Sequence, residues 1–143
     1  MSAAGRFWII FNGEVYNFIE LRAELAALGH RFRTNSDTEV ILGAYIEWGE
    51  QCLHRFNGMW AFAVWDRKAR RLFLSRDRLG VKPLYYCERG GRFLFGSEIR
   101  PILAALPEVP PLDPIALWAY LVIRYVPAPR TMFQGIHKLL PGH

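Results

Sequence analysis

Four short polar clusters carry the residue types from which a site can be built. Asn12-Gly13-Glu14 sets a side-chain amide, an unhindered backbone N–H and a carboxylate side by side at the end of an apolar run. Amides and backbone N–H groups aimed at one point form an oxyanion hole, which stabilises the tetrahedral intermediates of acyl transfer. Asn-Gly is equally the strongest short-range signal for a β-turn, and the tripeptide alone leaves both readings open. Ser36-Asp37 opens a helical pattern, where Asp37 is either a ligand carboxylate or an acid favoured by the helix dipole. Arg76-Asp77, followed by Gly80 and Lys82-Pro83, reads as a loop held by a local Arg–Asp pair. Cys52-x-His54 offers two metal ligands, but no second Cys/His pair follows at zinc-site spacing, and His30, His137 and His143 stand singly. Cys52 therefore reads as a small buried residue on a helical turn. No Walker loop, dinucleotide fingerprint or Gly-x-Ser-x-Gly elbow is present.

These clusters need elements to position them. Arg6–Phe11 is a short β-prone run stopping at Asn12-Gly13. Asn17 and Glu20 have capping-box spacing, Phe18, Leu21, Leu25 and Leu28 form one apolar stripe, and Gly29 closes that helix. Ser36 and Glu39 repeat the spacing before a second helix whose buried face is Val40, Ile41, Ala44, Tyr45 and Trp48, with Gly49 at its end. From Gly58 the period changes to two. Met59–Trp65 is apolar on both faces, as a strand buried between layers is. Return strands are expected at Arg71–Ser75, Leu84–Cys87 and Phe93–Gly96, which reads as an antiparallel meander. Glu98–Leu106 and Asp113–Arg124 read as helices, the second with Pro114 at its first position, and the proline-bearing tail from Val126 reads as extended. The pattern predicts an α+β fold with helices packed on a sheet face.

Composition narrows the classes. With 143 residues, 52% hydrophobic and 22% charged, the chain has the size and apolar content of one globular domain. Its longest apolar runs are about half of the roughly twenty residues a membrane helix needs, so no membrane partner is expected. Two cysteines fit a reducing, cytoplasmic setting. Residues 1–65 carry five Arg against seven acids (−2), and residues 66–143 thirteen Lys/Arg against six acids (+7). The basic cluster Arg67, Lys68, Arg70 and Arg71 falls on a hairpin turn and no nucleic-acid motif accompanies it, so a nucleic-acid partner is not expected.

Read together, five segments resemble one family. They are Phe-Asn-Gly-Glu-Val-Tyr-Asn at 11–17, Thr34-Asn-Ser-Asp-Thr-Glu-Val-Ile41, Arg55-Phe-Asn-Gly-Met-Trp-Ala-Phe-Ala-Val-Trp-Asp66, Arg76-Asp-Arg-Leu-Gly-Val-Lys-Pro-Leu-Tyr-Tyr86 and Gly96-Ser-Glu-Ile99. In collinear order they resemble the glutamine amidotransferase domain of glutamine-hydrolysing asparagine synthetase, and Tyr125–Gly142 resembles that family's connector into its synthetase domain. The resemblance implies a partial four-layer α/β/β/α sandwich of the N-terminal nucleophile hydrolase type. It divides the chain into a truncated amidotransferase domain, 1–106, and a connector, 107–143.

The chemistry implied by the resemblance is glutamine hydrolysis by an N-terminal cysteine whose own α-amine serves as base, with the ammonia used to amidate aspartate. Asn12 and Gly13 would form the oxyanion hole, Glu14 and Asp37 would bind the glutamine ammonium, and Arg76, Asp77 and Glu98 would be structural. No metal or cofactor is expected in this chain; ATP and Mg belong to the synthetase domain, and the parent protein would be a homodimer. Several family features are missing: position 2 is Ser2, and the cysteine segment, the carboxylate-gripping Arg and the synthetase domain are absent. Ser2 lies ten residues before Asn12, about 30 Å along an extended chain. The sequence thus reads as a piece of the enzyme beginning at an internal methionine. The alternatives are a stand-alone, non-catalytic relative that binds glutamine or a partner, and a small basic nucleic-acid binder.

Overall fold

The structure is a computed structural model describing residues 2–3 and 5–143. Strands β1 (Ser2–Ala3), β2 (Phe7–Val15), β3 (Gly58–Asp66) and β4 (Arg71–Arg76) form one antiparallel sheet in that order. Helices α1 (Phe18–Ala27) and α2 (Asp37–Trp48) cover one face, and a 3₁₀ turn, Gly49–His54, leads from α2 towards β3. A second antiparallel sheet has β5 (Tyr85–Arg89) at its centre, flanked by β6 (Arg92–Gly96) and β7 (Ile136–Lys138). Helix α3 (Ile99–Ala105) lies on its outer face, where Ile102 packs with Cys87 and Ile136. Helices, sheet, sheet and helix give the layering the family resemblance implied.

Alternation explains the core. Ile9, Val15, Trp60, Phe62 and Val64 point from the first sheet to the helices and meet Leu21, Leu25, Val40 and Ile41. Trp8, Ile10, Asn12 and Glu14 point the other way, towards the second sheet. β3 is buried from Trp60 to Val64 but emerges at Trp65, which with Trp8 and Ile10 is left substantially exposed. The expected meander is corrected here. β4 and β5 belong to different sheets, and the tail, expected to be merely extended, supplies β7. Within residues 107–143 only Ile136–Lys138 pairs with the second sheet, and a bridge joins Leu112 to Phe133.

Local chemistry fixes the ends. Ser36 Oγ accepts from Thr38 N–H at 3.1 Å and caps α2 as expected. Asn17 does not cap α1; its side chain spans to Arg55 O and Asn57 N–H instead. Glu39 reaches back to the N–H groups of Arg33 and Thr34 rather than to Ser36. α4 (Pro114–Ile123) is capped by Asp113, which Arg130 grips at 2.6 Å. Only Ala116 of α4 is buried, while Ile115, Trp118, Leu121, Val122 and Ile123 are exposed.

Two carboxylates tie turns to strands. Asp66 is held well below the ordinary carboxylate value of 3.8, first by its hydrogen bond from Arg6 and further by the N–H groups of Ala69 and Lys68. Burial pushes Asp77 upwards, but four backbone N–H donors outweigh it and hold this group below 3.8 as well. Each carboxyl therefore binds its proton less tightly in the folded chain than in the unfolded one. The stabilisation is complete well above 3.8 and is lost progressively as pH falls through 3.8 towards the lower folded-state values. The melting temperature is expected to decline between about pH 5 and pH 3, less steeply in Asp66→Asn. A flat profile over that range would contradict it.

Candidate active site

Asn12-Gly13 is not a turn. β2 runs unbroken to Val15, with Asn12 opposite Ala61, Gly13 opposite Trp60 and Glu14 opposite Met59. The glycine is required for close approach. At φ +155°, a Cβ on Gly13 would lie 2.2 Å from Met59 O and 2.8 Å from Trp60 Cα. Gly58 repeats this from the other side, its absent Cβ falling 2.2 Å from Glu14 O.

The direction of the Gly13 N–H follows from its neighbours. Trp60 gives its N–H to Asp77 Oδ2 and accepts at its carbonyl from Asp77 N–H, both on the side away from β2. Gly13 and Trp60 are thus a pair without mutual hydrogen bonds, and the N–H of Gly13 points away from β3. Val15, two residues on, agrees: its N–H points outward and meets Asp37 Oδ2 at 3.2 Å. β1 pairs with β2 only at Phe7 and Trp8, and no described strand covers the outer edge of β2 from Ile10 onwards. The edge offers a backbone donor to an incoming group.

Around that edge the expected residues converge. Asn12 is exposed on the face towards the second sheet and lines a cavity of about 120 Å³ with Phe95, Gly96 and Ser97. Glu14 is exposed on the same face. Asp37, the first residue of α2, is half-buried, with the hydroxyls of Ser36 and Thr38 at 3.5 and 3.4 Å from Oδ1. Donors and carboxylates thus lie at the end of β2 and the first turn of α2, which the Asp37–Val15 bond joins. Such a site can polarise a carbonyl and bind a cationic amine.

Other candidates separate from it. The backbone of Ser2 pairs opposite Trp8, because the chain turns back at Gly5 instead of running straight; it remains four residues short of Asn12. Cys52 is fully buried, and burial pushes its thiol up to about 12, far from the thiolate a nucleophile needs. Cys87 is buried under α3. Among the described residues no three His, Cys, Asp or Glu gather as a metal site. Arg76 does not pair with Asp77: its guanidinium donates to the carbonyls of Gly80, Lys82 and Leu139. Glu98 precedes α3 without capping it. The sequence carried one further signal, Trp60, whose importance lies in its backbone.

The fold has two antiparallel sheets between helical layers, with the Asn12 amide and the Gly13 N–H at an edge of β2 that no described strand covers. Its likeness to the glutamine phosphoribosylpyrophosphate amidotransferase of Bacillus subtilis has a TM-score of 0.58 at 23% identity, over 69% of this chain and 23% of that one. The model of the glutamine amidotransferase domain family matches residues 1–143, and the chain belongs to that family. It is 49% identical over 138 residues to asparagine synthetase (glutamine-hydrolysing) 3 of Bacillus subtilis, covering 96% of this chain and 22% of the relative. A putative asparagine synthetase of Methanocaldococcus jannaschii is 40% identical over 133 residues, covering 92% of this chain and 25% of that protein. The chain spans about a fifth to a quarter of the length of these relatives.

Proposed function

We propose that this domain hydrolyses glutamine and supplies the ammonia to a synthetase domain that converts aspartate to asparagine. The observation that carries the reading is the outward N–H of Gly13 beside the Asn12 amide, on a strand edge that no described strand covers. A thiolate delivered to that edge attacks the glutamine amide carbon. The carbonyl oxygen gains charge against Asn12 and Gly13, ammonia leaves, and water releases glutamate from the thioester. Glu14 and Asp37 supply the negative charge that holds the substrate ammonium. ATP and Mg are assigned to the synthetase domain.

α4 supports the synthetase partner. Ten residues make a helix about 15 Å long, half of a bilayer core, so its apolar surface suits a protein neighbour. No helix among the described residues is long and apolar enough to cross a membrane. A cytoplasmic setting and a homodimer of the synthetase-linked protein belong to the same proposal.

The 143-residue chain by itself is expected to release no glutamate from glutamine above buffer background, because the Ser2 backbone pairs opposite Trp8, four residues from Asn12, and both cysteines are buried. Glutamate release abolished by Asn12→Ala would overturn this. The test of the function is the synthetase-linked protein that also carries the N-terminal cysteine segment; it should release glutamate and form asparagine from glutamine. Glutamine binding without turnover would favour the non-catalytic reading.

A further inference from the structure

We propose that Asp77 is a positioning residue for glutamine hydrolysis, setting the Gly13 oxyanion donor through the backbone of Trp60. The inference rests on the function proposed above and adds a residue that touches no part of the substrate. Asp77 is 1% exposed and lies just past the end of β4, whose pairing with β3 stops at Ala61 and Arg76. Beyond that point Asp77 takes the place of a neighbouring strand. Its Oδ2 accepts the Trp60 N–H at 3.3 Å, and its own N–H donates to Trp60 O at 2.8 Å. Both backbone groups of Trp60 are therefore held by one residue.

Trp60 in turn lies directly against Gly13, with no side chain between the two backbones, since a Cβ there would sit 2.8 Å from Trp60 Cα. A shift of Trp60 must move Gly13. The clamp itself is rigid. Oδ1 accepts from Leu79 and Val81 N–H, Oδ2 also from Lys82 N–H, and the Asp77 carbonyl accepts from Gly80 and Gly142. Loop and central strand are fixed to the Asp77 carboxylate and the tail to its backbone carbonyl, and the donor strand leans on that assembly. A misplacement of about 1 Å in a reacting geometry is enough to cost on the order of a hundredfold in rate.

Asp77→Asn preserves shape but places an N–H group towards one pair of its backbone donors. In the synthetase-linked protein it should lower kcat for glutamine hydrolysis about tenfold or more, with KM for glutamine within about twofold and ammonia-driven synthesis unchanged. Asp66→Asn is the control: it loosens the far end of β3 without touching Trp60, and should leave both routes as they are. Asp77→Glu, which keeps the charge and displaces the oxygens, carries the same test if the amide variant does not fold. A second readout is independent of activity: in the 15N-labelled 143-residue chain, Asp77→Asn should shift the amide resonances of Trp60 and Gly13, and Asp66→Asn should not. Equal losses in glutamine- and ammonia-driven rates, an unchanged kcat, or a stationary Gly13 resonance would each overturn the proposal. A protein without any glutaminase activity, but with the Gly13 shift, would refute the function and leave the coupling standing.

Discussion

Replacing Asn12 with alanine in the synthetase-linked protein is expected to lower kcat for glutamine hydrolysis by about a hundred- to a thousandfold, roughly 3–4 kcal/mol of transition-state stabilisation. The amide is exposed, on the face beside the Gly13 edge, so its donor is available where charge develops and serves no buried network. Ammonia-driven asparagine formation should be unchanged, since that route bypasses the hydrolysis. Asp37 should behave differently, because a bound ammonium is present in ground and transition states alike. Asp37→Asn keeps an acceptor for the Val15 N–H and removes the charge, so KM for glutamine should rise while kcat is spared. Asp37→Ala also frees Val15, two residues from Gly13, and should lower kcat as well. Paired kinetics with glutamine and with ammonia check all three. An unchanged kcat in Asn12→Ala would remove Asn12 from the oxyanion hole.

Gly13→Ala should act on stability and activity together. The added carbon must displace Met59 O from 2.2 Å, and the conformation itself is one that side-chain-bearing residues rarely adopt. Overpacking and backbone strain together are expected to cost about 3 kcal/mol, lowering the melting temperature by on the order of 10 °C. Glutamine hydrolysis should fall at least about a hundredfold, because the donor moves with the strand. Gly43→Ala in α2 is the comparison. Its Cβ would meet only side-chain atoms, at 3.4 Å and beyond, in a helix that favours alanine over glycine. Calorimetry should place that variant within a few degrees of the parent chain; equal losses at the two positions would remove the special status of Gly13.

The helices and β3 were legible because their periods are long and unambiguous, and Ser36 capped where its spacing said. Asn12-Gly13 was not, because a turn dipeptide and a glycine forced by strand contact have the same composition; only the position of Met59 and Trp60 separates them. The division into two sheets was hidden for a related reason. Hairpin spacing shows which strands follow one another, whereas the partner of β5 on its second edge lies at Ile136–Lys138, inside a proline-bearing tail. Asn17 and Glu39 carried capping signals, but distant or looped backbone groups competed successfully for their side chains. The grouping of Asn12, Gly13, Glu14 and Asp37 as a site came from family resemblance; the structure adds that Asp37 bonds the Val15 N–H at the end of the same strand.

The late position of β7 also orders the birth of the molecule. Every described strand of the first sheet and both of its helices have been synthesised by Arg76, so their mutual contacts become available before those of the second sheet. The second sheet then waits, its central strand open on one edge, until Ile136–Lys138 is synthesised. Arg76 and Asp77 wait longer still, for Leu139 and Gly142. Vectorial synthesis therefore assembles the donor strand first and closes the latch behind it last, leaving β5 exposed to mispairing throughout that interval.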